Sequence, residues 1–114
     1  MPSEIPLRCA CGTIRGTALQ ASGSTGSRIF CYCDDCQAFA RFVDHPGVMN
    51  EQGGTDIYQM APGRLKITAG VDALRCVRLS EKGLYRWYCG ECRTPIGNTK
   101  PPVPFVGLIH SFMD

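Results

Sequence analysis

Three thiols fall within six residues in Cys31-Tyr32-Cys33-Asp34-Asp35-Cys36, the pattern C-x-C-x-x-C. Nothing in the packing of an amphipathic helix or strand asks for cysteines so closely spaced. A soft metal does, because thiolates bind zinc at about 2.3 Å and a tight turn brings neighbouring sulfurs onto one ion. Three ligands are one short of the closed tetrahedral set of a structural zinc. An incomplete set is what a catalytic zinc keeps, with water or substrate in the fourth position. Two further pairs flank this motif, Cys9-Ala10-Cys11 and Cys89-Gly90-Glu91-Cys92. The turn inside a C-x-x-C lets backbone N–H groups bond the sulfurs and offset their charge. Taken together, Cys9, Cys11, Cys89 and Cys92 make a four-thiolate structural site joining the two ends of the chain. Cys31, Cys33 and Cys36 then form a separate three-thiolate site, and Cys76 stands alone.

The composition agrees with metal rather than disulfides. Eight cysteines in 114 residues fit either a disulfide scaffold or a metalloprotein. The start, Met-Pro-Ser-Glu-Ile-Pro-Leu-Arg-Cys, lacks the apolar region of an export signal, and no window approaches the roughly 18 apolar residues of a membrane span. A cytoplasmic location is therefore expected, where thiols stay reduced. Cysteines two or three apart also bridge one another poorly but chelate well. Ligand softness points to zinc, with iron in a rubredoxin-like site the less favoured occupant. Twelve Lys+Arg against ten Asp+Glu leave a net charge of +2, no footprint of a nucleic-acid binder. Arg75, Arg78, Arg86 and Arg93 are spread among acidic neighbours rather than gathered in a patch. With 44% hydrophobic and 19% charged residues, one folded domain over residues 1–114 is expected. The chain stops at Asp114 directly after an apolar run, which reads as a truncated C-terminus.

The elements that must position these thiols are mainly strands. Residues 6–19 read as two short strands around a turn, with Cys9 and Cys11 on one side of an extended segment and Gly12 free to take positive φ. Ile14, Gly16 and Ala18 alternate with Thr13, Arg15 and Thr17, as in a half-buried strand. Residues 20–27 read as a flexible loop, followed by a strand over 28–32. Asp34 is placed as the N-cap of a helix over about 35–43, with Ala38, Phe39, Phe42 and Val43 as its apolar stripe and His45-Pro46-Gly47 as its stop. Its N-terminus would face the thiol cluster with free N–H groups and positive dipole. Beyond it, strands are expected at 55–60, 65–69, 73–79, 84–89, 96–98 and 105–112, spaced as antiparallel meanders.

This order of motifs resembles the glutathione-dependent formaldehyde-activating (GFA) family, also called the centromere protein V domain. The resemblance rests on Arg8-Cys9-Ala10-Cys11-Gly12-Thr13-Ile14-Arg15, then Cys31-Tyr32-Cys33-Asp34-Asp35-Cys36, then Tyr88-Cys89-Gly90-Glu91-Cys92-Arg93-Thr94-Pro95-Ile96. It implies a β-tent zinc fold of small antiparallel sheets with one short helix. It implies two zinc ions per chain, a structural one on Cys9, Cys11, Cys89 and Cys92 and a labile one on Cys31, Cys33 and Cys36. It also implies an activity like S-(hydroxymethyl)glutathione synthase, the addition of glutathione or another thiol to a small aldehyde. Three positions depart from the family's habit. Tyr32 stands where His is frequent, Gln37-Ala38 where basic residues follow the motif, and Arg93 where Gly follows the last C-x-x-C. Loss of the basic pair predicts weak glutathione binding, and Arg93 predicts a strained backbone.

Two functions are expected. The one the resemblance implies is a carbon–sulfur lyase for a thiol adduct of a small aldehyde, in which Asp34 or Asp35 could relay a proton. The other is a non-enzymatic zinc module for binding protein, and less readily nucleic acid. The fourth position of the middle site would be water, His45 or Cys76, although Cys76, alternating with arginines, is expected in the core. His45 otherwise reads as a solvated loop residue, and His110 as a surface or satisfied core residue. No membrane partner is expected.

Overall fold

The structure, a computed structural model, describes residues 4–19, 26–32, 34–44, 49–79, 83–100 and 105–113. The strands, in chain order, are β1 (Glu4–Arg8), β2 (Arg15–Leu19), β3 (Gly26–Cys31), β4 (Thr55–Met60), β5 (Leu65–Ala69), β6 (Leu74–Val77), β7 (Tyr85–Cys89), β8 (Pro95–Thr99) and β9 (Val106–Ile109). One α-helix among the described residues, α1 (Asp34–Phe42), follows β3. The fold is mainly β, as expected, with two antiparallel sheets: β1-β2-β5, and the larger β3-β4-β9-β8-β7-β6. The predicted simple meander is modified at two places. β5 leaves the large sheet to pair with β2, and β9 inserts between β4 and β8.

The large sheet is buried on both faces, so its strands do not alternate cleanly between apolar and polar residues. On one side Leu7, Cys9, Ile14 and Ala18 of the small sheet and its turn pack with Met60, Ile96, Val106, Leu108 and Phe112. On the other, Phe39 and Val43 of α1 pack with Ile57 and Ile109. Each Leu, Ile, Val, Met or Phe among them contributes about 1.5–3 kcal/mol by burial. The small sheet needs Gly16, because a Cβ there would collide with the carbonyl oxygen of Lys66 on β5.

Several local expectations are corrected. Cys9 and Cys11 lie in a turn, not an extended segment. Gly12, at φ 77°, reverses the chain and its N–H bonds Cys9 O at 3.0 Å. The buried stripe of α1 is Cys36, Phe39, Ala40 and Val43, the i, i+3, i+4, i+7 set of a helical face, while Ala38 and Phe42 are exposed. Cys36 serves here as an apolar residue, which rotates the stripe from the expected one. The helix begins at Asp34, so that residue belongs to the first turn rather than capping it. Its side chain, the helix stop at residues 45–47, and residues 20–25 of the expected loop lie outside the described residues, while Gly26 and Ser27 already belong to β3. The strand expected over 73–79 is only Leu74–Val77, since a 3-10 turn occupies Val71–Ala73. The last strand stops at Ile109, where another 3-10 turn, His110–Phe112, swings Phe112 into the inter-sheet core.

Candidate metal centre and thiol cleft

Cys9 and Cys11 come from the turn between β1 and β2. Cys89 ends β7, and Cys92 follows in the turn to β8. The four sulfurs lie within 4.8 Å of one another, two from the turn of the small sheet and two from the end of a large-sheet strand and its following turn. Sγ–Sγ separations of 3.5 Å (Cys9–Cys11) and 3.9 Å (Cys11–Cys89) bracket the edge of a four-thiolate zinc tetrahedron, about 3.8 Å for bonds of about 2.3 Å. Backbone N–H groups point at the sulfurs, from Ile14 to Cys9 at 3.3 Å and from Glu91 and Cys92 to Cys89 at 3.4 and 3.5 Å. The Thr94 hydroxyl accepts from Ala10 N–H at 3.0 Å and lies 3.0 Å from Cys92 Sγ. The donor set therefore fits a metal ion.

Protonation differs sharply within the cluster. Burial pushes the Cys89 thiol up to about 12, and the N–H groups of Cys92 and Glu91 offset only part of this. Burial also works against ionising Cys92, but hydrogen bonds from the Thr94 side chain and from the N–H groups of Cys11 and Thr94 outweigh it and hold the thiol at about 6. Hydrogen bonds with the Thr13 hydroxyl and N–H bring Cys11 below the ordinary thiol range. Arg93, next in the turn, takes φ 64°, the left-handed conformation that its replacement of glycine predicted.

The second group is built differently. Cys31 is the last residue of β3 and Cys36 sits in the first turn of α1, with their Sγ atoms 2.9 Å apart. Cys36 is buried and Cys31 half-buried. A tetrahedral metal on both would require the pair to open by about 1 Å. Cys33 and His45 lie outside the described residues. Cys76 is exposed on β6, the outermost strand of the large sheet, where a side chain has a neighbour on one side only. It pairs with Trp87 and so projects to the face away from Cys36, which removes it from the middle site and from the core assigned to it. Asp35 is exposed. His110 is a surface residue whose Nδ1 lies 3.3 Å from Asp56 O.

Three residues beside Cys36 had no signal as site residues. Arg86 is only 2% exposed, and its guanidinium donates to Cys36 Sγ at 3.6 Å and lies 5.9 Å from the Phe39 ring centre. Among the described side chains no carboxylate pairs with it. A buried cation needs an anionic or strongly accepting partner, and among the described residues Cys36 fills that place. Thr55 and Asn98 are buried beside it, with Thr55 Oγ1 and Asn98 Oδ1 lacking partners among the described residues around a void of about 10 Å³, near the smallest that can hold a water. Outside this void, Cys31 and Cys36 open onto a cleft of about 200 Å³, with Ile29, Ile57, Leu84 and Phe105 as apolar walls and Gln59, Asn98 and Lys100 as polar lining. From sequence Arg86 reads only as one of the arginines spread along the chain, and its burial follows from the large sheet having both faces covered.

A family profile described as "Family of unknown function (DUF6151)" matches residues 1–114. The chain belongs to the DUF6151 family. No curated protein matches it in sequence. The DUF6151 chain is similar in fold to the crystal structure of a Rhodobacter sphaeroides protein, with a TM-score of 0.67 over 96% of this chain and 87% of that one, at 14% identity. No helix of the described DUF6151 chain is long and apolar enough to cross a membrane.

Proposed function

We propose that this DUF6151 chain is a cytoplasmic, zinc-binding, GFA-like carbon–sulfur lyase that handles the thiol adduct of a small aldehyde. The observation that carries this reading is the separation of the two thiol groups. One is closed by its own backbone, and the other opens on a cleft of about 200 Å³. Zinc bound by Cys31 and Cys36, with Cys33 of the same motif, would supply a Lewis acid that favours the thiolate form of an incoming thiol. In the reaction the thiol sulfur adds to the carbonyl carbon, and the thiol proton ends on the carbonyl oxygen; cleavage is the reverse. The apolar walls Ile29, Ile57 and Phe105 exclude water from the adduct. Asn98 and Lys100 supply polar contacts, whereas the exposed Asp35 is not part of the lining.

The resemblance led us to expect weak glutathione binding, since Gln37 and Ala38 replace a basic pair. Gln37 is indeed occupied, donating to Tyr32 O at 3.1 Å. Lys100, however, brings a cation to the cleft from the end of β8, and a carboxylate-bearing thiol has a partner there. Calorimetric titration of zinc-loaded protein with glutathione and with 2-mercaptoethanol tests this. The reading expects both to bind, glutathione more tightly, with that preference lost in Lys100→Ala. Binding of neither thiol would favour the non-enzymatic zinc module instead.

A further inference from the structure

The opposite face of the large sheet carries a second cleft, unrelated to the thiols. Directly paired residues of antiparallel strands project to the same face. One such row crosses the sheet as Cys76, Trp87, Gly97, Leu108 and Tyr58. Gly97 places no side chain between Trp87 and Leu108. The gap is roofed by Leu65 and Ile67 of β5 in the small sheet, leaving a cleft of about 220 Å³ between the two sheets. Its surface is entirely apolar, and the indole N–H of Trp87 is already committed to Thr99 Oγ1 at 3.0 Å.

We propose that this cleft is a binding site for a small uncharged apolar molecule, a single aromatic ring or a hydrocarbon of similar size. An apolar space of about 150 Å³ is enough to take up benzene, and this cleft, open to solvent on one side, offers about 220 Å³. Its lining offers water no hydrogen bonds, and a charged ligand would lose hydration against it without compensation. An apolar ring recovers the dispersion contacts that the open space withholds from Trp87, Leu74 and Leu108. The site does not depend on the lyase reading, because Arg86 and Asn98 project from the other face of the same strands toward Cys36.

Trp87 is the chain's single tryptophan, so its fluorescence reports on the cleft alone. The protein as purified is titrated with toluene, cyclohexane and benzoate. Toluene and cyclohexane are expected to change the emission saturably, with benzoate at least about tenfold weaker. Filling the cleft from either sheet, by Ile67→Phe or Leu74→Phe, is expected to weaken toluene binding about tenfold or more while circular dichroism is unchanged. No saturable response of the unmodified protein to toluene up to its solubility limit overturns the proposal, whatever the variants do. Toluene density placed outside the cleft in a soaked crystal overturns it as well.

Discussion

Cys9, Cys11, Cys89 and Cys92 are held by the backbone itself, two turns closing on each other from different sheets with N–H groups directed at their sulfurs. Cys31 and Cys36 come from a strand end and the first turn of a helix, with the side chain of a buried arginine donating to Cys36. The first group has separations of 3.5 and 3.9 Å that suit a tetrahedral metal, while the second sits at 2.9 Å beside a cleft. On the proposed reading the contrast separates a clamp from a reaction site. A metal on the first group would tie two sheets together, so its loss should loosen both. A metal on the second would tie only a strand end to a helix start.

The largest effect should come from breaking the clamp. Cys89→Ser is expected to abolish the cooperative thermal transition, because a structural zinc supplies apparent folding free energy on the order of 10 kcal/mol in small domains. Cys31→Ser should leave a cooperative melt. Equal loss from the two would erase the distinction between the groups.

Arg86 gives the next effect. Arg86→Ala removes one hydrogen bond to Cys36 and opens a cavity beside it, and should cost about 2–5 kcal/mol in chemical denaturation. Arg86→Lys should recover part of that loss. A cost near zero for Arg86→Ala would mean that the guanidinium is not the partner of Cys36.

The reach of sequence reasoning follows from what each residue type announces. Cysteine spacing is informative because few other features demand it, and it brought out the four sulfurs that the fold gathers from opposite ends of the chain. Strand positions from Thr55 onward were legible because turns and β-branched residues punctuate them. Arg86 was not, since a cation in a strand reads as solvated unless both faces of the sheet are known to be covered; Lys100, exposed just past β8, gave no sign that it borders the cleft. Cys76 misled for a related reason: alternation gives a residue's face, while exposure depends on being at the sheet's edge. The helix stripe was displaced by one residue type, a cysteine counted as a ligand that also packs as an apolar side chain.

A smaller effect concerns pH. Metal ligands must be deprotonated, so acid releases the metal. Cys92, depressed to about 6 from an ordinary 9.0, favours its thiolate above that value and loses the contribution as pH falls through it. Metal release from the clamp, followed with a chromogenic chelator, should therefore rise as pH falls, with Cys92 resisting release and the buried Cys89 thiol favouring it. Thr94→Val removes the hydroxyl that holds Cys92 down, so the midpoint should move upward, with a stability cost of about 1 kcal/mol. An unchanged midpoint would show that Thr94 does not tune the cluster.

The distinction between clamp and reaction site is tested most directly by counting zinc before and after treatment with a mild chelator while circular dichroism is recorded. The account predicts two zinc ions per chain, one removed with no change in the spectrum and absent from Cys31→Ser, the other retained with the fold. One zinc per chain under excess metal, or unfolding that accompanies loss of the first ion, would contradict it.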